Sequence, residues 1–338
     1  MIDVTAAVIG RVVAGRNLVM RDHATIRADG EAIRIGNNGH FGSRATVHIA
    51  DSLLGTTVGD DVTVGCYSLV HACSIGDRVV IGEGSAVMDG ASVGSDALVA
   101  ADSIVPPGKT LAAGWLYQGV PAKPIREVSR AEVRRMSASI RDGSPDPIVR
   151  STAVPEFAHE PGSRAREDGA WRHAAWHRSA YVAPTSLVAG HVELNEDAGV
   201  YFGCVVTASG ARIVIGRRSN VQDNCFLVTT EARGDLVIGD GATIGHNVQL
   251  GAGFIGDDAL IGMLSRVGDG VVVENNGCIA AGAWAEPGTI VKAGWIWSGR
   301  PARPFRELKP AERMEFARGR DAYVSYGMSY RAARRESR

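Results

Sequence analysis

His48, Cys66 and His71 are the side chains of the first half whose types suit chemistry, because imidazole and thiolate are the donors that divalent zinc takes. Upstream lies Arg27-Ala28-Asp29, a cation and a carboxylate two residues apart. The second half carries a different set: Asn220-Val221-Gln222-Asp223, followed by His246 in IGHNVQLGAG. Neither set can be read alone, because the elements that present them have an unusual period.

That period is set by glycine. The chain has 338 residues and 42 glycines, well above the usual ~7%. Glycine follows a branched apolar residue about every six residues, as in Ile35-Gly36, Val58-Gly59, Val64-Gly65, Ile75-Gly76 and Ile81-Gly82, and again in Ile238-Gly239, Ile244-Gly245, Ile255-Gly256 and Ile261-Gly262. Six fits neither a 3.6-residue helix nor a two-residue alternation. It fits a solenoid of short strands and tight turns, three sides to a coil of about 18 residues. Glycine at the corners is expected to supply backbone angles that a Cβ would oppose. On this reading His48 and Cys66 lie one coil apart on a similar side, with His71 near the next corner. Outward side chains on different sides of a prism diverge, so one solenoid cannot converge all three on one ion and a neighbouring solenoid must supply a ligand.

Residue n of the first half matches residue n+180 of the second. Gly65 falls on Gly245, Ile75-Gly76-Asp77 on Ile255-Gly256-Asp257, and GVPAKPIRE (119–127) on GRPARPFRE (299–307). The chain is a tandem duplication, with a first domain over 1–142, a Pro-, Gly- and charge-rich linker over 143–172 and a second domain over 173–338. Each apolar stack leads into a helix. The first covers 129–143 with Ser129 as N-cap, and the last runs from about Pro310 to the C-terminus.

The motifs resemble those of the gamma-class carbonic anhydrases and their hexapeptide-repeat relatives, which carry Arg-x-Asp, then Asn-x-Gln-Asp leading to a His, then Gly-His-x4-His. The resemblance implies an all-β solenoid with terminal helices, two tandem left-handed parallel β-helix domains. It also implies a metal between adjacent subunits of a trimer, with outer histidines from one subunit and the middle one from its neighbour. In the first half the outer positions are His48 and His71, and Cys66 replaces the middle histidine. In the second half the outer positions are Val228 and Gly251, and His246 holds the middle. Arg27 and Asp29 become Thr207 and Ser209, while Asn220, Gln222 and Asp223 correspond to His40, Gly42 and Ser43. The surviving parts add up to about one set.

The resemblance therefore implies a composite site in which His48, His71 and His246 hold Zn²⁺, or Fe²⁺ or Co²⁺ in the same geometry. Water bound there would fall from a pKa of ~15.7 to ~7. Arg27 would face Asp223 in an interface ion pair with Asp29 nearby, and Gln222 and Asn220 would hydrogen-bond near the site. His40 is a candidate for touching substrate, and Glu31 for proton transfer or a solvated edge. The rival is a first-domain homotrimer with Cys66 as third ligand. The default activity is a metal-dependent lyase or hydrolase on CO₂/bicarbonate or a small specialised metabolite. Proton transfer should be slow, because the segments 48–66 and 228–246 lack the acidic loop of many relatives. The alternatives are a hexapeptide acyltransferase using acyl-CoA, with His40 or His71 as base, and a non-catalytic scaffold.

Composition bounds the partners. A net charge of −1 argues against phosphate-backbone binding to nucleic acid. No apolar run suggests a membrane span, and no secretion signal is legible at the start. Five scattered cysteines read as reduced thiols in a cytoplasmic protein. The expected partners are a small-molecule substrate and further copies of the chain, packed as a homo-oligomer. His159, His173, His177 and His191 read as solvated, His23 is left open, and Tyr323, Tyr326 and Tyr330 read as closing a groove or an interface.

Overall fold

The computed structural model describes residues 1–51, 53–154 and 174–336. The chain divides into two compact units, Met1–Glu160 and Pro161–Arg338, and each is a left-handed parallel β-helix carrying a terminal helix. Much of the expected linker, with His159 and His173, lies outside the described residues. Its first part, up to Val154, packs on the first β-helix. Glu83 and Ala101 donate backbone hydrogen bonds to the carbonyls of Val149 and Ile148, and Val149 joins the apolar cluster beneath the helix.

In the first unit, Val80 pairs with Leu98 and Leu98 with Leu116, eighteen residues on each time. The inward side chains, among them Ile26, Val47, Val64, Ile81 and Val99, stack into one core. The second unit repeats this with Val206, Leu227, Ile244, Ile261 and Ile279. Buried parallel ladders are the reason branched residues dominate every rung.

The corner glycines play a different part from the one their sequence suggests. Gly65 and Gly82 have ordinary φ, but a Cβ at Gly65 would lie 2.7 Å from the Glu83 amide nitrogen, and one at Gly82 2.5 Å from that of Ala101. Positive φ falls instead on Asn38, Asp61, Tyr67 and Arg78, two residues further on. Glycine is there so that successive coils can approach. The following carboxylates and amides cap the exposed amides of the coil before. Asp60 accepts from Asn37 N at 2.6 Å, Asp77 from Asp60 N at 3.0 Å, and the second unit repeats this with Asp240 and Asp257.

One coil is longer than the rest. Thr46 pairs with Leu69, twenty-three residues on, because a short loop closed by an Ala50–Leu54 bridge is inserted. The second unit has the same long step, Phe226 to Gln249. The extra residues move His71, not Cys66, into register with His48. This overturns the placement of His48 and Cys66 on one side.

The terminal helices differ. Helix α1, Arg130–Asp142, starts at Ser129, whose side chain accepts from Glu132 N, and ends at Gly143 in the left-handed conformation. Its Val133, Met136 and Ile140 pack on Val80, Leu98 and Leu116. Helix α2, Pro310–Glu336, runs 27 residues against 13 and continues past the strands Tyr181–Val182, Gly199–Val200 and Asn220–Val221. Among the described residues no helix is long and apolar enough to cross a membrane. The five cysteines are buried and free of disulfides.

His40 sits on the strand His40–Phe41 of the seven-stranded sheet. Burial, then the Arg141 and Arg21 charges, push its pKa down from 6.5 to about 4. Half-buried His23 is also depressed to about 4 by burial and Arg44. The unfolded chain therefore binds more protons between pH 6.5 and 4, and stability falls as pH falls through that window. In urea melts, wild type should lose more stability from pH 7 to pH 5 than His40→Asn; equal losses would remove His40 from the account. Gly82→Ala should cost roughly 1–3 kcal/mol through overpacking, whereas Gly319→Ala, on α2 with open space around it, should stabilise by up to about 1 kcal/mol. An unchanged midpoint for Gly82→Ala would contradict the close-approach role.

Candidate functional site

The first unit builds a column of four side chains along one face, one from each of four neighbouring coils. The strands Thr25–Ile35, Thr46–His48, Leu69–His71 and Ala86–Val87 are consecutive neighbours in the sheet. They supply Asp29, His48 and His71, and Asp89 follows the last of them. His48 Nε2 lies 3.3 Å from Asp29 Oδ2, His48 Nδ1 lies 3.2 Å from His71 Nε2, and His71 Nδ1 lies 2.5 Å from Asp89 Oδ1. Both imidazoles are buried, and the ring centroids are 5.2 Å apart.

The partners decide the tautomers. A carboxylate only accepts, so each outer ring nitrogen, His48 Nε2 and His71 Nδ1, carries the proton and donates it. With both rings neutral, the inner nitrogens then present lone pairs to each other, a geometry that a cation between them satisfies. Two nitrogens bonded to one tetrahedral zinc at 2.0–2.1 Å lie roughly 3.3 Å apart, and 3.2 Å fits. The carboxylate behind each ring is the support that metal-binding histidines commonly have.

Of the other first-unit candidates, only Arg27 reaches this column. Arg27 is buried and ion-paired with Asp29. Glu31 lies two residues beyond Asp29, its amide bonded to the Asp51 carbonyl. His40 belongs to the other sheet and pairs with Thr63. Cys66 occupies the corner before the strand Leu69–His71. Burial and the Glu83 charge push its thiol up to about 11.

The second unit builds a complementary cluster. His246 Nδ1 accepts from the Asp223 amide at 3.2 Å and lies the same distance from Asp223 Oδ2. The other Asp223 oxygen accepts from Phe202 N at 3.0 Å. Gln222 Nε2 donates to Asn220 Oδ1 at 3.3 Å, and Asn220 Nδ2 donates to Thr243 Oγ1 at 3.0 Å. Among the described residues, buried Gln222 Oε1 has no hydrogen-bond partner, which marks it as an acceptor available to a ligand. His246 Nε2 faces the Tyr323 hydroxyl at 3.1 Å.

One residue of these clusters, Asp89, escapes the sequence reading, and a second, Tyr323, is read there only as closing a groove or an interface. Asp89 follows His71 by 18 residues, so the coil period itself leads to it. Tyr323, Tyr326 and Tyr330 are spaced i, i+3 and i+7, one face of a helix, but nothing local connects that face to His246.

Residues 32–66 and 73–105 match the family described as the hexapeptide repeat of succinyl-transferase. The chain is 34% identical over 140 residues to gamma carbonic anhydrase 1, mitochondrial, of Arabidopsis thaliana, covering 40% of this chain and 51% of that protein. It thus spans about half the length of that plant relative. It is 34% identical over 164 residues to a carbonic anhydrase of Geobacillus kaustophilus, covering 47% of this chain and 86% of that protein. A crystal structure of a hexapeptide transferase family protein from Anaplasma phagocytophilum is 32% identical, covers 46% of this chain and 92% of that one, and superposes with a TM-score of 0.45. With the repeat, the paired histidines and the identity to the Geobacillus kaustophilus carbonic anhydrase together, the chain belongs to the hexapeptide-repeat family of the gamma-class carbonic anhydrases.

Proposed function

We propose that the protein is a metal-dependent lyase acting on CO₂ or bicarbonate, with His48 and His71 of the first domain and His246 of a second domain, in the same or another copy, as ligands of one divalent ion. The observation that carries this reading is the pair of inner imidazole nitrogens 3.2 Å apart, each turned inward by a carboxylate on its far side. Zn²⁺ suits three neutral imidazoles, as do Fe²⁺ and Co²⁺.

A divalent ion held there would supply Lewis acidity and bring the pKa of water to near neutrality. Asp29, Asp89 and Asp223 would fix the tautomer and angle of the three rings. Arg27, buried beside Asp29, would offset the negative charge that Asp29 brings to the site and pair across to Asp223. Gln222 Oε1 would accept a hydrogen bond from a water or from bicarbonate, with its own amide held by Asn220. Cys66, which is not in register with His48, would stay out of the ligand set. The assembly that brings the domains together would be a homo-oligomer of packed solenoids.

Metal content measured by mass spectrometry should approach one ion per site in wild type and in Cys66→Ala, and fall away in His48→Ala, His71→Ala and His246→Ala. Retention in His246→Ala with loss in Cys66→Ala would replace the composite site with a first-domain cysteine site. Asp89→Asn should weaken metal affinity by about 10–100-fold, read by competition with a chelator. Stopped-flow CO₂ hydration should be measurable in the zinc-loaded wild type and vanish with the metal. Zinc bound without hydration would leave the site standing and remove CO₂ as substrate. Mixing His48→Ala and His246→Ala chains should restore metal only if the two domains of a site come from different copies.

A further inference from the structure

The second β-helix differs from the first where α2 outruns α1. Tyr323 falls at the position of Gly143, the residue that ends α1 in the first half. The extension therefore exists only in the half that keeps the middle histidine, and it brings a phenol to that histidine. Tyr323 is buried and firmly placed. Its carbonyl accepts the Tyr201 hydroxyl, and its ring meets that of Tyr201 edge-on with centroids 4.9 Å apart. Further along α2, Tyr330 packs on Tyr181 and Phe202 at 5.4 and 5.6 Å.

The contact is with the nitrogen that matters. Asp223 engages His246 Nδ1, so Nε2 is the nitrogen left to bind a metal, and the Tyr323 oxygen lies 3.1 Å from it. Two donor atoms of one tetrahedral ion with bonds near 2.0–2.1 Å are separated by roughly 3.3 Å. His246 Nε2 and the Tyr323 oxygen have nearly that separation, as His48 Nδ1 and His71 Nε2 do. Without metal, the phenol and Nε2 share one hydrogen bond. Once the Nε2 lone pair is given to a cation, that hydrogen bond is lost and the oxygen lone pairs turn to the cation.

We propose that Tyr323 is a fourth ligand of the metal, delivered by α2, and that it caps the position that a substrate-binding water would otherwise occupy. As the oxygen–metal bond forms, the phenolic proton leaves to solvent. Closed four-coordinate sites are structural, and catalytic ones keep a position open. Turnover then requires Tyr323 to withdraw, and the aromatic packing of Tyr201, Tyr181 and Tyr330 sets how readily it does so. This inference rests on the metal-site reading above.

The test uses the full chain loaded with Cu²⁺, which binds imidazole sets tightly and gives a visible charge-transfer band when a phenolate is bound to it. Wild type should show that band, and Tyr323→Phe, which keeps the ring and its packing, should lack it at equal copper content. In the zinc form, chelators should strip Tyr323→Phe about tenfold faster, and its CO₂ hydration should exceed that of wild type. Copper bound equally to both proteins without a band in wild type overturns the ligand assignment while leaving the metal site intact. A band that is present, with hydration no faster in Tyr323→Phe, overturns the capping role alone. Failure of both proteins to bind any metal overturns the ligand and the metal-site reading together.

Discussion

Two imidazoles on adjacent rungs, each backed by a carboxylate, are the constraint on which the first half turns. Neighbouring parallel strands are held about 4.7–4.9 Å apart by their hydrogen bonds, and every coil above and below keeps that spacing fixed. His48 and His71 stand in register on such a ladder, and Asp29 and Asp89 reach their outer nitrogens from the coils on either side. A loop-built site would need separate devices to align the two rings. Here their alignment comes from the same ladder that buries Ile26, Val47 and Val70 on the inside. The polar column costs the core nothing, because strand alternation places it on the opposite face of the wall. Asp89, the least buried member at 43% exposure, lets the column end in solvent and not in an uncompensated charge.

The second half keeps the wall and drops the column. The residues matching Asp29, His48 and His71 are Ser209, Val228 and Gly251, and only Asp269 remains at the place of Asp89. That carboxylate, with no imidazole to hold, is bonded to Arg233 at 2.9 Å and to the Ala252 amide. A group freed from one partner has been given another, as a half-buried charge requires. The same half keeps the corner set of Asn220, Gln222, Asp223 and His246, in which each polar side chain has a neighbour from its own domain. The halves are therefore not two weakened copies of one site. Each keeps a locally bonded set of polar side chains that the other half lacks.

The sequence carried the repeat, the duplication and the helix boundaries, because these are set by local patterns: an aliphatic residue before glycine, a serine before Arg130, a proline at 310. It misplaced Cys66 because a fixed coil of 18 cannot register a loop insertion. The bridge between Ala50 and Leu54 adds five residues and so shifts which later side chain stands beside His48. The reason given for glycine was also a local one, backbone angle, whereas the observed reason lies one coil away in the backbone that a Cβ would strike. Tyr323 lay furthest from view. Its 77-residue separation from His246 is bridged only by the path of α2 across the strands, which no local pattern encodes.

Both corners at the middle-ligand position are covered by the chain following their β-helix, and the two coverings differ. In the first half the segment after α1 folds over the Cys66 corner. Arg150 ion-pairs with buried Glu83 at 3.2 Å, Ser151 N donates to Glu83 at 3.0 Å, and the Ser151 hydroxyl donates to Asp102 at 2.7 Å. A carboxylate brought this close to a buried thiol opposes its ionisation. The matching residue in the second half is Met263, which brings no charge. There the covering element is α2, and what it lays against the corner is a phenol on an imidazole nitrogen. Removing the middle histidine from the first half and supporting it in the second are thus parts of one difference: what the chain after each helix was free to place over its own corner.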